Sequence, residues 1–238
     1  MAVVGVQPPD QFPLVFYREN PADIHLSISE ALALPLSETR ALSLSGTALS
    51  RGSTRDVILY LAEQARRRGM TTFIDLDLRP DQWAHPLAYG LNLRPVLPLC
   101  DVLIGTEEEF YAALSPTPEP VMSGSAVDDR EGLQRLLRAD GDTVLIVKRG
   151  DRGVTIVRRD GQVDVPGYPV EIVNTVGAGD GFASGLIYGW AQGWGWERAA
   201  RFANACGALV VTRQGCARAL PRRDEVDKFI IEWEGAGA

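Results

Sequence analysis

From residue 41 onward, short apolar runs take turns with helix-patterned stretches, and no other feature constrains the fold as tightly. "LSLSG" (42–46), "TTFIDLDLR" (71–79), "DVLIGT" (101–106), "TVLIVKRG" (143–150) and "GVTIVRR" (153–159) have strand length and strand composition. After the first of them comes "STRDVILYLAEQARRRG" (53–69). Val57, Leu61 and Ala65 recur there at helical spacing, Ser53 stands where a cap belongs, and Gly69 stands where a helix stops. "TEEEFYAAL" (106–114) opens a helix with Thr106 and Glu109 at capping-box spacing. Asp160-Gly161 predicts a hairpin turn into "QVDVPG" (162–167). Helices follow at "GDGFASGLIYGWAQG" (179–193), "WERAARFANACGALVVTR" (196–213) and "RDEVDKFIIEWEG" (223–235). The alternation predicts an α/β fold in three layers, a mostly parallel sheet with helices on both faces. Residues 115–127, "SPTPEPVMSGSAV", read as a surface loop. The first 40 residues do not alternate. "FPLVFYREN" (12–20) is extended and leads into "PADIHLS" (21–27), so residues 1–40 are expected to form a lid or flap ahead of a main domain at 41–238.

Composition removes several function classes. Hydrophobic residues make up 45% of the 238 and charged residues 23%, as in an ordinary soluble globular domain. A net charge of −7 without any basic tract argues against a nucleic-acid partner. No apolar run approaches membrane-spanning length, and "MAVVGVQPPD" lacks the basic start of a signal peptide, so no membrane partner and a cytoplasmic location are expected. Cys100, Cys206 and Cys216 have neither CxxC nor metal-ligand spacing and read as buried apolar residues of a reducing compartment. The presence of only two histidines, His25 and His85, argues against a histidine-rich zinc site or a Ser-His-Asp triad.

"NTVGAGDGFASGLIYGW" (174–190) carries the chemistry. Small residues before a helix expose unpaired backbone N–H groups that suit an anion such as phosphate. A Walker A loop would need Gly-Lys-Ser/Thr, which is absent. A dinucleotide fingerprint would need glycine or alanine where Phe182 or Ser184 stands. What remains is Gly177-Ala178-Gly179-Asp180, in which Asp180 either caps the helix or serves as an acid at the mouth of an anion site. Gly181, Gly185, Gly189 and Gly193, spaced four apart, form a bare stripe that implies close approach of another element, since each interior glycine costs about 1 kcal/mol relative to alanine.

"NTVGAGDGFASG" resembles the C-terminal signature of the ribokinase-like carbohydrate kinases, the PfkB family, and the resemblance extends from about residue 14 to residue 232. It implies a ribokinase-like fold that uses ATP and Mg²⁺. In it the Gly177-Ala178-Gly179 turn forms the anion hole, with Thr175 beside it, and Asp180 accepts the sugar hydroxyl proton. "VKRGDRGV" is similar to the family's nucleotide segment, which implies that Lys148, Gly150 and Gly153 lie along the phosphates; a plain hairpin corner is the alternative. "RFANACGALVVT" resembles the helix lining the adenine pocket, with Asn204 pointing into it. "IGTEEEF" resembles the Asn-x-x-Glu motif, which makes Glu108 the residue that organises Mg²⁺ through water. Gly105 stands where asparagine is usual, and Asn174 replaces the more usual aspartate.

Arg18 and Arg79 sit in segments similar to those of the family's acidic-sugar branch, where such arginines hold the substrate carboxylate; the alternative for each is a surface ion pair. The implied reaction is phosphorylation of a sugar acid, 5-dehydro-2-deoxygluconate of inositol catabolism or else 2-keto-3-deoxygluconate. Family members also carry an N-terminal portion with a Gly-Gly signature that has no counterpart here. The chain therefore reads as a lid remnant plus the nucleotide-binding half. It is expected to bind ATP weakly, to phosphorylate no sugar at a normal rate, and to self-associate as a homo-oligomer through an uncovered edge; a non-catalytic nucleotide-binding relative is the competing expectation.

Overall fold

The computed structural model describes residues 2–5, 14–117, 130–137 and 143–236. Most of the loop expected at 115–127 lies outside them, as does the start of "FPLVFYREN". Ahead of the main sheet, β1 (Ala2–Val4) pairs antiparallel with β2 (Leu14–Phe16), joining Val3 to Val15. The second strand was expected as an extended segment; the first was not expected.

The main sheet has six strands in sequence order: β3 (Ala41–Ser45), β4 (Thr71–Asp75), β5 (Val102–Thr106), β6 (Val144–Lys148), β7 (Val154–Arg158) and β8 (Gly161–Val165). The first four are parallel, in registers such as Leu44 with Ile74, Ile74 with Leu103, and Leu103 with Leu145. Helices connect them: α2 (Thr54–Arg68) after β3, α3 (Pro86–Leu93) after β4, and α4 (Glu107–Leu114) with α5 (Arg130–Leu136) after β5. Unbroken burial along Thr72–Ile74, Val102–Gly105 and Val144–Val147 means that both faces of these strands are covered, as parallel pairing requires. Five residues join β6 to β7 and two join β7 to β8, too few for a parallel crossover, so the sheet turns antiparallel there. The last hairpin loop is Arg159-Asp160, one residue earlier than the expected Asp160-Gly161 turn, and Gly161 already opens β8.

The chain divides into two compact units, and the boundary runs through β7 and β8. Arg18–Lys148 and Val157–Gln162 form one; Met1–Tyr17, Arg149–Ile156 and Val163–Ala238 form the other. The first unit holds a core around Phe110, Tyr89, Leu76 and Leu103. In it α2 ends at Gly69 in the left-handed conformation, as its sequence predicts. Ser53 takes the cap position but not the cap role. Its hydroxyl donates to the Leu26 carbonyl at 2.7 Å, while Thr54 Oγ1 accepts from Leu26 N and donates to the Asp23 carbonyl. Both hydroxyls thus tie residues 23–26, near the short helix α1 (Ile28–Leu32), to the start of α2.

The second unit is built on α6 (Ala178–Ala191), α7 (Trp196–Val211) and α8 (Arg223–Ala236), around Tyr168, Phe202 and Val226. A Cβ on Gly181 would lie 2.8 Å from Val210 Cγ2; on Gly185, 2.9 Å from Ala203 Cα; on Gly189, 2.7 Å from Ala199 Cβ. The glycine stripe is therefore the seam between α6 and α7. Gly193 does not belong to it. That residue lies past the helix at φ 73° with open space around its Cα, and it serves as the stop.

Candidate active site

In the second unit the chain arrives at α6 through an Asn-anchored turn. Asn174 is buried; its Nδ2 donates to the Gly215 carbonyl at 2.8 Å, and its Oδ1 accepts from Val176 N at 3.1 Å. The charge lost relative to an aspartate is replaced by this donor. Gly177 is the N-cap at φ 87°, and a Cβ there would come within 3.0 Å of Cys216 Sγ. Only glycine meets both demands without strain. No side chain caps the helix. Gly181 N donates to the Gly177 carbonyl and Ala178 N to the Thr175 carbonyl, which leaves the Gly179 and Asp180 amides at the mouth of the helix.

Asp180 is the third helical residue, exposed, and not the cap. The capping alternative is thereby corrected: the cap is a glycine, chosen for its left-handed backbone. Helix-end amides together with the positive end of the helix dipole favour an anion, and Asp180 places a carboxylate beside them. Cys216, expected to be buried, is exposed next to this turn, whereas Cys100 and Cys206 are buried.

The remaining nucleotide candidates of this unit have defined places. Gly150 (φ 62°) and Gly153 (φ 87°) flank a 3-10 turn in which Arg149 N donates to the Gly153 carbonyl. A Cβ on Gly153 would strike the Val165 carbonyl at 2.1 Å, so that glycine admits the end of β8, whereas Gly150 has open space. Asn204 is buried on α7, and its Nδ2 donates to the Val165 and Pro166 carbonyls at 3.3 and 3.0 Å. Thr175 is exposed at the turn.

The first unit gathers charge at the carboxyl ends of its parallel strands. Lys148 Nζ, at the end of β6, lies 3.2 Å from Asp75 Oδ1 at the end of β4 and 3.8 Å from Glu109 Oε2 on α4. Burial pushes the Asp75 carboxyl up to about 6 against the pull of Lys148, with Glu109 adding to the rise. For Lys148, burial works against the charge, but Asp75 and Glu109 outweigh it and hold the ammonium above its ordinary range. The capping box of α4 forms as its spacing predicts: Thr106 Oγ1 accepts from Glu109 N, and Glu109 Oε2 accepts from Thr106 N at 2.7 Å.

Glu108, beside it in the first turn, is half-buried. Among the described residues no three His, Cys, Asp or Glu side chains assemble into a metal site. A magnesium ion that keeps its waters and takes phosphate oxygens needs only one or two carboxylates, and Glu108 offers one. Gly105 has its own reason: a Cβ there would meet Leu76 Cδ1 at 2.7 Å.

Arg79 lies past the strand, not at its end, and caps a short 3-10 turn; its Nη2 is 2.9 Å from Asp77 Oδ1. Asp77 is itself left-handed at φ 39°, held by Ser45 Oγ on its carboxylate and Thr47 Oγ1 on its carbonyl. Arg18 pairs with Asp23, and its carbonyl accepts from Arg51. Both arginines thus have carboxylate partners within their own segments. Asp75, Asp77 and Glu109 were not anticipated as a group. Alternation in "FIDLDLR" hid the first two, and the capping role hid the third.

A model described as "pfkB family carbohydrate kinase" matches residues 2–223. The chain is 30% identical over 234 residues to a protein of Geobacillus thermodenitrificans named 5-dehydro-2-deoxygluconokinase, covering 97% of this chain and 66% of that one. It thus spans about two thirds of that relative's length. Among solved structures, a putative ribokinase II from E. coli in complex with ATP and Mg²⁺ is similar at 27% identity and TM-score 0.74, covering 97% of this chain and 71% of that one. A fructokinase from Xylella fastidiosa with bound ATP is similar at 25% identity and TM-score 0.78, covering 98% and 74%. Fold, glycine turn and family match agree: the chain belongs to the pfkB family of carbohydrate kinases.

Proposed function

We propose that this chain carries the nucleotide-binding and catalytic part of an ATP-dependent sugar-acid kinase whose substrate is 5-dehydro-2-deoxygluconate. The observation that carries the reading is the left-handed Gly177 turn, which delivers an uncapped helix start with an exposed Asp180 in its first turn. In the reaction, Asp180 takes the proton of the sugar hydroxyl as its oxygen attacks the γ-phosphorus. The bond from that phosphorus to the β,γ-bridging oxygen breaks, and ADP leaves. The Gly177, Gly179 and Asp180 amides meet the charge on the transferring oxygens, with Ala178 and Thr175 shaping the turn. The Gly150 and Gly153 backbone would lie along the phosphates, and the Asn204 Oδ1 left over from its donor contacts would face the base. Magnesium would be held through water by Glu108 and would neutralise phosphate charge.

Arg79 and Arg18 are proposed to receive the sugar carboxylate, and residues 1–40 to act as a lid. The substrate assignment draws its support from the relative named 5-dehydro-2-deoxygluconokinase. No helix among the described residues is long and apolar enough to cross a membrane, and a cytoplasmic setting belongs to the same proposal. The test is ADP release with 5-dehydro-2-deoxygluconate, 2-keto-3-deoxygluconate and ribose in parallel. Release stimulated by the first acid, below an ordinary kinase rate, and lost in Asp180→Asn is expected. Stimulation by 2-keto-3-deoxygluconate instead would reassign the substrate. ATP binding without stimulation by any sugar would contradict the kinase reading and favour a nucleotide-binding relative.

A further inference from the structure

Glu109 is spent on three partners at once. Its Oε1 accepts from Leu78 N at 3.0 Å, its Oε2 accepts from Thr106 N at 2.7 Å, and the same Oε2 lies 3.8 Å from Lys148 Nζ. Lys148 in turn reaches both Asp75 oxygens, at 3.2 and 3.5 Å. Side-chain exposures of 14% for Glu109, 17% for Lys148 and 21% for Asp75 leave little water to compete. The loop after β4 is costly to hold, because Asp77 is left-handed without being glycine. It is correspondingly over-determined: besides Glu109 on Leu78 and the two hydroxyls on Asp77, the buried Tyr89 hydroxyl donates to the Leu76 carbonyl at 3.1 Å.

We infer that Glu109 and Lys148 are positioning residues that lock the Leu76–Arg79 loop and the Glu108 end of α4 into one frame, and that Lys148 is not a ligand of the nucleotide phosphates. Its ammonium is neutralised inside the protein by two carboxylates, and one of them, Glu109, holds the Leu78 amide beside Arg79 and the Thr106 amide at the start of the helix that carries Glu108. The functional consequence rests on the roles proposed above for Arg79 and Glu108; the mechanical linkage does not. Removing Lys148 leaves Asp75 and Glu109 facing each other without compensation, which frees Glu109 to abandon Leu78.

Amide hydrogen exchange and calorimetric ATP titration on the whole chain separate the possibilities. In Lys148→Met and Glu109→Gln, exchange at Leu78 should rise tenfold or more, while ATP affinity stays within about twofold of the wild type. Lys148→Arg, which keeps the charge, should restore protection and covers the case in which Lys148→Met does not fold. Unchanged exchange at Leu78 in Glu109→Gln would overturn the linkage. A tenfold loss of ATP affinity in Lys148→Met with Leu78 still protected would return Lys148 to the phosphates. A wild-type chain that fails to bind ATP would count against the proposed function alone, since the exchange measurement would still decide the linkage.

Discussion

Asp180, Arg79 and Asp75 each make a demand that a single substitution can isolate. Asp180→Asn keeps the size and removes the proton acceptor. Sugar-dependent turnover should fall by about 10² or more with ATP affinity nearly intact, the scale of a lost general base; steady-state kinetics beside an ATP titration checks this. Arg79→Met should raise KM for the sugar acid about tenfold or more and leave KM for ATP unchanged, as expected when a charge-assisted contact is lost. An unchanged sugar KM would make Arg79 only the partner of Asp77 that the structure displays.

Asp75 gives a pH signature. The folded protein keeps its proton up to about pH 6, whereas the unfolded chain releases it near 4, so between those values the folded state binds more protons and stability falls as pH rises. Urea unfolding of wild type and Asp75→Asn from pH 4 to 7 should show that decline in the wild type and a flatter curve in the variant. The roles of Asp75 and Glu109 were not legible in the sequence. A carboxylate that alternates in a strand, or that completes a capping box, shows no sign of the lysine some 40 or 70 residues further on.

At the scale of elements more is legible in the sequence, because each element carries its own local cause. Gly69 stops α2, Thr106 and Glu109 cap α4, and apolar runs of five residues become β3 to β6. The misreadings occurred where tertiary partners overrule local preference. Ser53 gives its hydroxyl to Leu26 rather than to its own helix. Gly193 shares the four-residue spacing of the stripe yet ends the helix. The remaining three glycines set a sharp expectation. Gly185→Leu should force α6 and α7 apart and cost about 1–3 kcal/mol. Ala203 Cα is backbone and cannot yield as a side-chain tip would. Gly193→Ala should cost less, since only the left-handed φ opposes it. Paired thermal denaturation of the two variants measures the difference.

At the scale of the whole molecule, the α/β class and the parallel sheet were legible because alternation is a global pattern. The division into two units was not, because it passes through the β7–β8 hairpin rather than through a linker. The central claim is that the Gly177 turn cradles the phosphates of ATP while Asp180 acts on the acceptor and not on the nucleotide. ATP titration by calorimetry into the wild type, Gly177→Val and Asp180→Asn tests it most directly. Valine cannot hold φ 87° and would press on Cys216. The account predicts ATP binding in the wild type, a loss of tenfold or more in Gly177→Val, and a change within about twofold in Asp180→Asn. ATP affinity indifferent to Gly177, or no ATP binding at all, would contradict it.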